Sequence, residues 1–175
     1  MSIGGIAPHR IVFMRFAISL LVALSLTAPA LGQSREACEM ATPDLLASAL
    51  GQEYEIYETQ NPAPGMSFCA WKGQDRKIIN IHSVTAESEG IDEDQAVEAF
   101  NIYLAVQKEQ LPGYVHELEG PWQSAYIIED ANEATNPDHA FCISFVNKGD
   151  SVTVQTAFVG RDIAIGLAEK VAEGM

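Results

Sequence analysis

Apolar positions along the chain repeat with two periods, and the change from one to the other falls at capping and turn residues. Ala96, Val97, Ala99, Phe100, Tyr103, Leu104 and Val106 form a helical stripe that Pro112 and Gly113 stop. Asp92 followed three residues later by Gln95 has the form of a capping box, so this is the best-defined helix of the chain, expected to cover a sheet with Phe100 and Tyr103 in the core. A shorter helix starts at Thr42, with Pro43 at its first position and Asp44 in its first turn. Leu45, Leu46, Ala49 and Leu50 are its apolar face and Gly51 its end.

Between and after these helices the period is two. Residues 54–59, ended by the turn-rich 61–65, then 67–72 and 77–84 predict three strands of an antiparallel meander, with a turn at 73–76. In the third, Ile79, Ile81 and Ser83 share one face and Ile78, Asn80, His82 and Val84 the other. Neither face is wholly polar, which predicts cover on both sides. Segments 114–118, 123–128, 140–147 and 151–158 continue the pattern, with a tight hairpin at Lys148, Gly149 and Asp150. Ile163, Ile165, Leu167, Ala168 and Val171 mark a closing helix over about 161–173. The order helix, meander, long helix, meander, helix predicts one α+β domain built on a mostly antiparallel sheet covered by helices.

The N-terminal segment fits neither period. Arg10 and Arg15 precede the apolar run 16–26, and small residues follow to Gly32. This is the pattern of a secretory signal peptide over 1–32, with Met14 an alternative start and cleavage expected after Gly32 rather than Ala30. The apolar run is about half the roughly 20 residues a membrane span needs, so no stable membrane anchor is expected. The mature domain is then 33–175, periplasmic or secreted. Removing the leader takes away two of ten cations and none of 24 acids, so the formal charge of −14 becomes −16. That acidity excludes nucleic acid as a partner, because phosphate neutralisation needs a basic face.

Export makes the three cysteines, Cys38, Cys69 and Cys142, candidates for a bridge. Three pairings exist. Cys38 with Cys69 is the expected one: it would tie the mature N-terminus to the first strands and stabilise by about 3 to 4 kcal/mol. Cys142, inside an apolar strand, is then a packed free thiol; a bridge through Cys142, or one between chains, stays open.

No metal-protease, CxxC, nucleophile-elbow, phosphate-loop or dinucleotide motif is present, and no catalytic residue or cofactor is assigned. His82 with Cys69 would make a thiol pair only if Cys69 were unbridged. His116 and Glu117 are neighbours on a strand and so point to opposite faces. Asp130, Asn132, Glu133, Asp138 and His139 gather oxygen and nitrogen donors in one loop, a weak candidate site for a hard cation such as Ca²⁺, with Asp130, Asp138 and His139 as its strongest members. Trp71, Trp122 and Tyr126, with Tyr57, are candidates for a contact surface, since amphipathic rings are enriched there.

Residues 38–51 (CEMATPDLLASALG) followed by 67–71 (SFCAW) resemble the opening of a family of small exported bacterial proteins of unknown function. Its members carry a Cys, a Thr-capped helix ending Leu-Gly, and a second Cys beside an aromatic residue. Residues 118–126 (LEGPWQSAY) and the later hairpin look like the family's closing half, although 119–123 depart from its usual Gly-Leu-Gly-Asp. The resemblance implies a PsbP-like α/β/α sandwich and a Cys38–Cys69 bridge, and no reaction. The reading that follows is a soluble exported binding or accessory module acting on an unknown protein or small ligand. The alternatives are a hydrolase whose site assembles only in three dimensions, or a cation-binding protein.

Overall fold

The computed structural model describes residues 36–129 and 140–175, and in it the alternating segments join into a single seven-stranded sheet. The elements are α1 (Ala37–Met40), α2 (Pro43–Leu50), β1 (Glu55–Ala63), β2 (Met66–Lys72), β3 (Ile78–Val84), α3 (Ala86–Glu89), α4 (Glu93–Gln110), β4 (Val115–Glu117), β5 (Ser124–Ile128), β6 (Ala140–Asn147), β7 (Asp150–Ala157) and α5 (Arg161–Gly174). The strand order is β1-β2-β3-β7-β6-β5-β4, and every neighbouring pair is antiparallel. The two meanders therefore meet at β3 and β7, whose pairing runs from Ile78 opposite Ala157 to Val84 opposite Ser151.

Local chemistry explains the element ends. The Thr42 side chain accepts from the Leu45 N–H at 3.2 Å, and Gly51 closes α2 at φ 71°, a left-handed conformation that a Cβ would disfavour. At α4 the Asp92 carboxylate accepts from Gln95 N–H at 2.9 Å while the Gln95 side chain accepts from Asp92 N–H at 3.0 Å. The β6–β7 hairpin turns on Lys148 (φ 51°) and Gly149 (φ 84°), two consecutive positive values of the kind that match strand twist.

The register assigns each residue to a face. One face carries Trp71, Ile79 and Phe141, then Cys69, Ile81, Val154, Ile143 and Ile127, then Val152, Phe145 and Ala125, all buried. Ala37 and Met40 of α1, Leu46 of α2, and Ala164, Leu167, Ala168 and Val171 of α5 close over it. Burying each of the larger of these side chains stabilises by about 1.5–3 kcal/mol. On the opposite face Ala96, Phe100 and Leu104 of α4 pack with Val115, Tyr126 and Val146. The domain is thus α+β with helices on both sides of the sheet, and Cys38 and Cys69 join α1 to β2 as a disulfide with Cα atoms 5.2 Å apart.

Four expectations are corrected. β1 runs to Ala63 rather than ending at 59: it is an edge strand whose pairing with β2 slips twice, so Asn61 and Pro62 are carried in irregular backbone and the turn shrinks to Pro64 and Gly65. α1 and α3, of four residues each, are too short for a helical period to show. The stripe on α4 is narrower than its sequence suggests. Tyr103 is 54% exposed, and Val106 and Ala99 also face out, because the line Ala96, Phe100, Leu104, with Val97 half-buried beside it, is what meets the sheet. Ile163 of α5 is likewise exposed.

Candidate functional site

The face under α4 is unlike the other. Helix α4 packs on β5, β6 and β7, and beyond it the strands toward β1 carry Phe68 and Asn80 half-buried and His82 exposed. Reading the register across this face gives two rows. One runs Tyr126, Ser144, Thr153, His82, Phe68 from β5 to β2; the other runs Cys142, Gln155, Asn80, Ala70 from β6 to β2. With strands about 4.8 Å apart, Ser144 and Phe68 stand about 14 Å from each other. The middle of a sheet thus presents hydroxyl, thiol, amide and imidazole groups side by side, where the opposite face is mostly hydrocarbon, with Ser67, Ser83 and Thr156 as its polar members.

These groups are connected. The Ser144 and Thr153 hydroxyls lie 2.9 Å apart, and either can donate. Ser144 also lies close enough to the Tyr126 hydroxyl, and Ser144 and Gln155 to the Cys142 thiol, for hydrogen bonding to oppose the effect of burial on both. The His82 ring lies tilted on Phe68 with centroids 4.6 Å apart, and Tyr126 packs on Phe100 at 5.5 Å. Two clefts open on the rows. One, of about 230 Å³, lies beside α4 and includes Glu89, Ala99, Tyr103, Tyr126, Ser144 and Thr153 in its lining. The other, of about 250 Å³, lies one row along and is lined in part by Ile78, Asn80, Cys142 and Gln155.

Burial sets the charge of this surface. It pushes the Cys142 thiol up, with the Gln155 and Ser144 hydrogen bonds pulling the other way. It raises the Tyr126 phenol, against the Ser144 hydrogen bond, and lowers the His82 imidazole. All three are therefore neutral near pH 7. A thiol held protonated is a poor nucleophile, and the β7 strand separates Cys142 from His82, so the two make no thiol–imidazole pair. The arrangement is suited to holding a ligand by hydrogen bonds rather than to attacking it.

The residues singled out from sequence are dispersed. Trp71 is fully buried on the covered face, which removes it from any contact surface. Trp122 is half-buried, stacked on Phe145 at 5.4 Å with its indole N–H donating to the Leu118 carbonyl at 3.1 Å. Tyr126 is buried, and it alone of the three lines the open face, within the cleft beside α4. Tyr57 is exposed on β1. Phe68 rather than Cys69 stands opposite His82, so Cys69, already bridged to Cys38, points away from that imidazole. Cys142 is free. Asp130, Asn132, Glu133, Asp138 and His139 lie outside the described residues, and among those described no group of three or more metal-ligating side chains occurs.

Sequence reasoning passed over Ser144, Thr153 and Gln155. The signal was present as polar residues at alternate positions of two otherwise apolar strands, but it marks a site only once β3, with Asn80 and His82, is known to lie beside β7. Comparison of the chain with protein-family models, curated proteins and solved structures gives no match.

Proposed function

We propose that the protein is an exported, disulfide-stapled binding module that holds a small polar ligand on the open part of the sheet face beside α4. One observation carries this reading: neighbouring strands β5, β6, β7 and β3 each contribute uncharged polar side chains to a face that α4 covers only in part. A sheet face kept for solubility alone needs neither paired hydroxyls nor the buried, unpartnered carboxamide oxygen of Asn80 under clefts of this size. Export is supported by the leader pattern over 1–32 and by the Cys38–Cys69 bridge, a feature typical of oxidising compartments. No helix among the described residues is long and apolar enough to cross a membrane.

The test is thermal unfolding of the 33–175 chain with a panel of neutral sugars, primary amines and carboxylates at about 10 mM, where a ligand binding a hundredfold more tightly adds about 2.7 kcal/mol. The wild type should be stabilised by members of one chemical class, and Thr153→Trp, which fills the cleft, should lose that stabilisation while folding normally. No stabilisation by any class, or equal stabilisation of the filled variant, overturns the reading.

A further inference from the structure

We infer that the ligand of this face is an uncharged, hydroxyl-rich molecule of the saccharide class. The inference rests on the binding reading above and deepens it by asking which chemistry the cleft groups can satisfy.

An anion is the first class to fail. Among the described residues no Lys or Arg lines either cleft; Lys72 shares the face, but at the sheet end beside Ile78 and exposed to solvent. Phosphate or carboxylate taken from water would meet no compensating cation, in a chain of formal charge −14. A cation fares little better. Among the described residues Glu89 is the single carboxylate of either cleft, and the others that face an ammonium group are hydroxyls and amides that can donate as well as accept. An ammonium group only donates, so half of that capacity would go unused while the ion lost its water.

A polyol matches both halves. Each Ser or Thr hydroxyl offers one donor and two acceptor positions, and the Gln155 and Asn80 carboxamides offer both kinds. When Ser144 donates to Thr153, the Thr153 hydroxyl keeps its proton free to donate outward. Glu89 then serves as a charge-assisted acceptor for a ligand hydroxyl. Rings stand at two places on this face: Tyr103, 54% exposed, beside the cleft, and the tilted His82–Phe68 pair further along the same row. They give the apolar C–H face of a sugar ring a flat surface to lie against.

The experiment is calorimetric titration of a panel of neutral mono- and disaccharides, of their amino and acid counterparts, and of simple amines and carboxylates, into wild type, Thr153→Val, Thr153→Ser and Thr153→Trp. Thr153→Val keeps the branched shape of a strand residue and removes the hydroxyl; it should weaken sugar binding about three- to tenfold, whereas Thr153→Ser should restore it. Circular dichroism and melting of each variant verify that the fold is retained. Tighter binding of a charged class than of every neutral sugar overturns this inference and leaves the cleft as the binding site. Sugar binding unchanged in both Thr153→Val and Thr153→Trp places the sugar elsewhere and overturns both.

Discussion

Reduction of the Cys38–Cys69 bridge is the perturbation whose effect can be worked out most directly. The two cysteines are 31 residues apart. Opening a loop of that size returns about 12 cal/mol/K of entropy to the unfolded chain, or about 3.7 kcal/mol at 25 °C. That is a large share of the roughly 5–15 kcal/mol that separates folded from unfolded domains. Reduction is a cleaner perturbation than mutation, because Cys69 is fully buried and its replacement by Ala would add a cavity. Urea unfolding of the oxidised and reduced 33–175 chain, followed by tryptophan emission, reports the difference, since Trp71 is buried in the native state. The reduced form should lose about 3 to 4 kcal/mol and melt about 10 °C lower, with a slightly steeper urea dependence as its unfolded state expands. A loss below about 1 kcal/mol in protein shown by mass to be fully reduced would refute the loop argument.

Other expectations follow from single contacts. Arg161 donates to both carboxylate oxygens of Glu129 at 2.7 and 2.8 Å, yet Glu129 is 5% exposed and Arg161 about a third exposed. Arg161→Met strands a buried charge and should destabilise by about 3 kcal/mol in urea unfolding, while Glu129→Gln, which leaves a partly solvated cation, should cost less; the reverse order contradicts the burial argument. The Thr156 hydroxyl is buried with no hydrogen-bond partner, so Thr156→Val should raise the unfolding free energy by about 1 kcal/mol, and a loss instead would show that the hydroxyl is satisfied. Burial raises the Cys142 thiol above its ordinary 9.0 and the Tyr126 phenol above its ordinary 10.0. Stability from such groups is complete below the unfolded value and lost as pH rises through the folded one, so unfolding free energy should fall from about pH 9 upward, and Cys142→Ala should remove the first part of that fall. Intact mass of the protein recovered after export should start at Gln33; a mass that includes residues 16–26 removes the leader reading.

What was legible in the sequence was what short-range chemistry decides. The Thr42 and Asp92 caps, the Gly51 stop and the Lys148-Gly149 hairpin each depend on residues within a few positions, and each stands where the pattern puts it. Pairing of β3 with β7 joins residues some seventy positions apart, and no local spacing encodes it. The candidate site inherits that limit. Thr153 and His82 become neighbours only through this pairing, so the polar rows could not be assembled from strands read one at a time. The rings failed for a related reason: alternation says that Trp71 and Ala70 face opposite ways but not which way is the core, and the apolar layer beneath α5 took the tryptophan. Tyr103 failed in the other direction, because the width of a helix's buried stripe depends on how far the sheet beneath it extends.

The bridge and the open face are two sides of one strand. Alternation along β2 sends Phe68 and Ala70 up to the polar face and Cys69 and Trp71 down to the core. Helix α4 packs on β5, β6 and β7, so β2 is held chiefly from below, by α1, by the core beneath it and by the disulfide through Cys69. Ser67 adds to that support: its hydroxyl accepts from the Ala37 N–H at 2.7 Å and lies 2.6 Å from the Ser83 hydroxyl of β3. A covering helix over β2 would have stabilised it by burying Phe68 and His82, and would have closed the rows that those rings extend. Anchoring the strand from the covered side leaves Phe68 half-buried and His82 exposed on the other, which makes the staple part of the reason that face stays partly open.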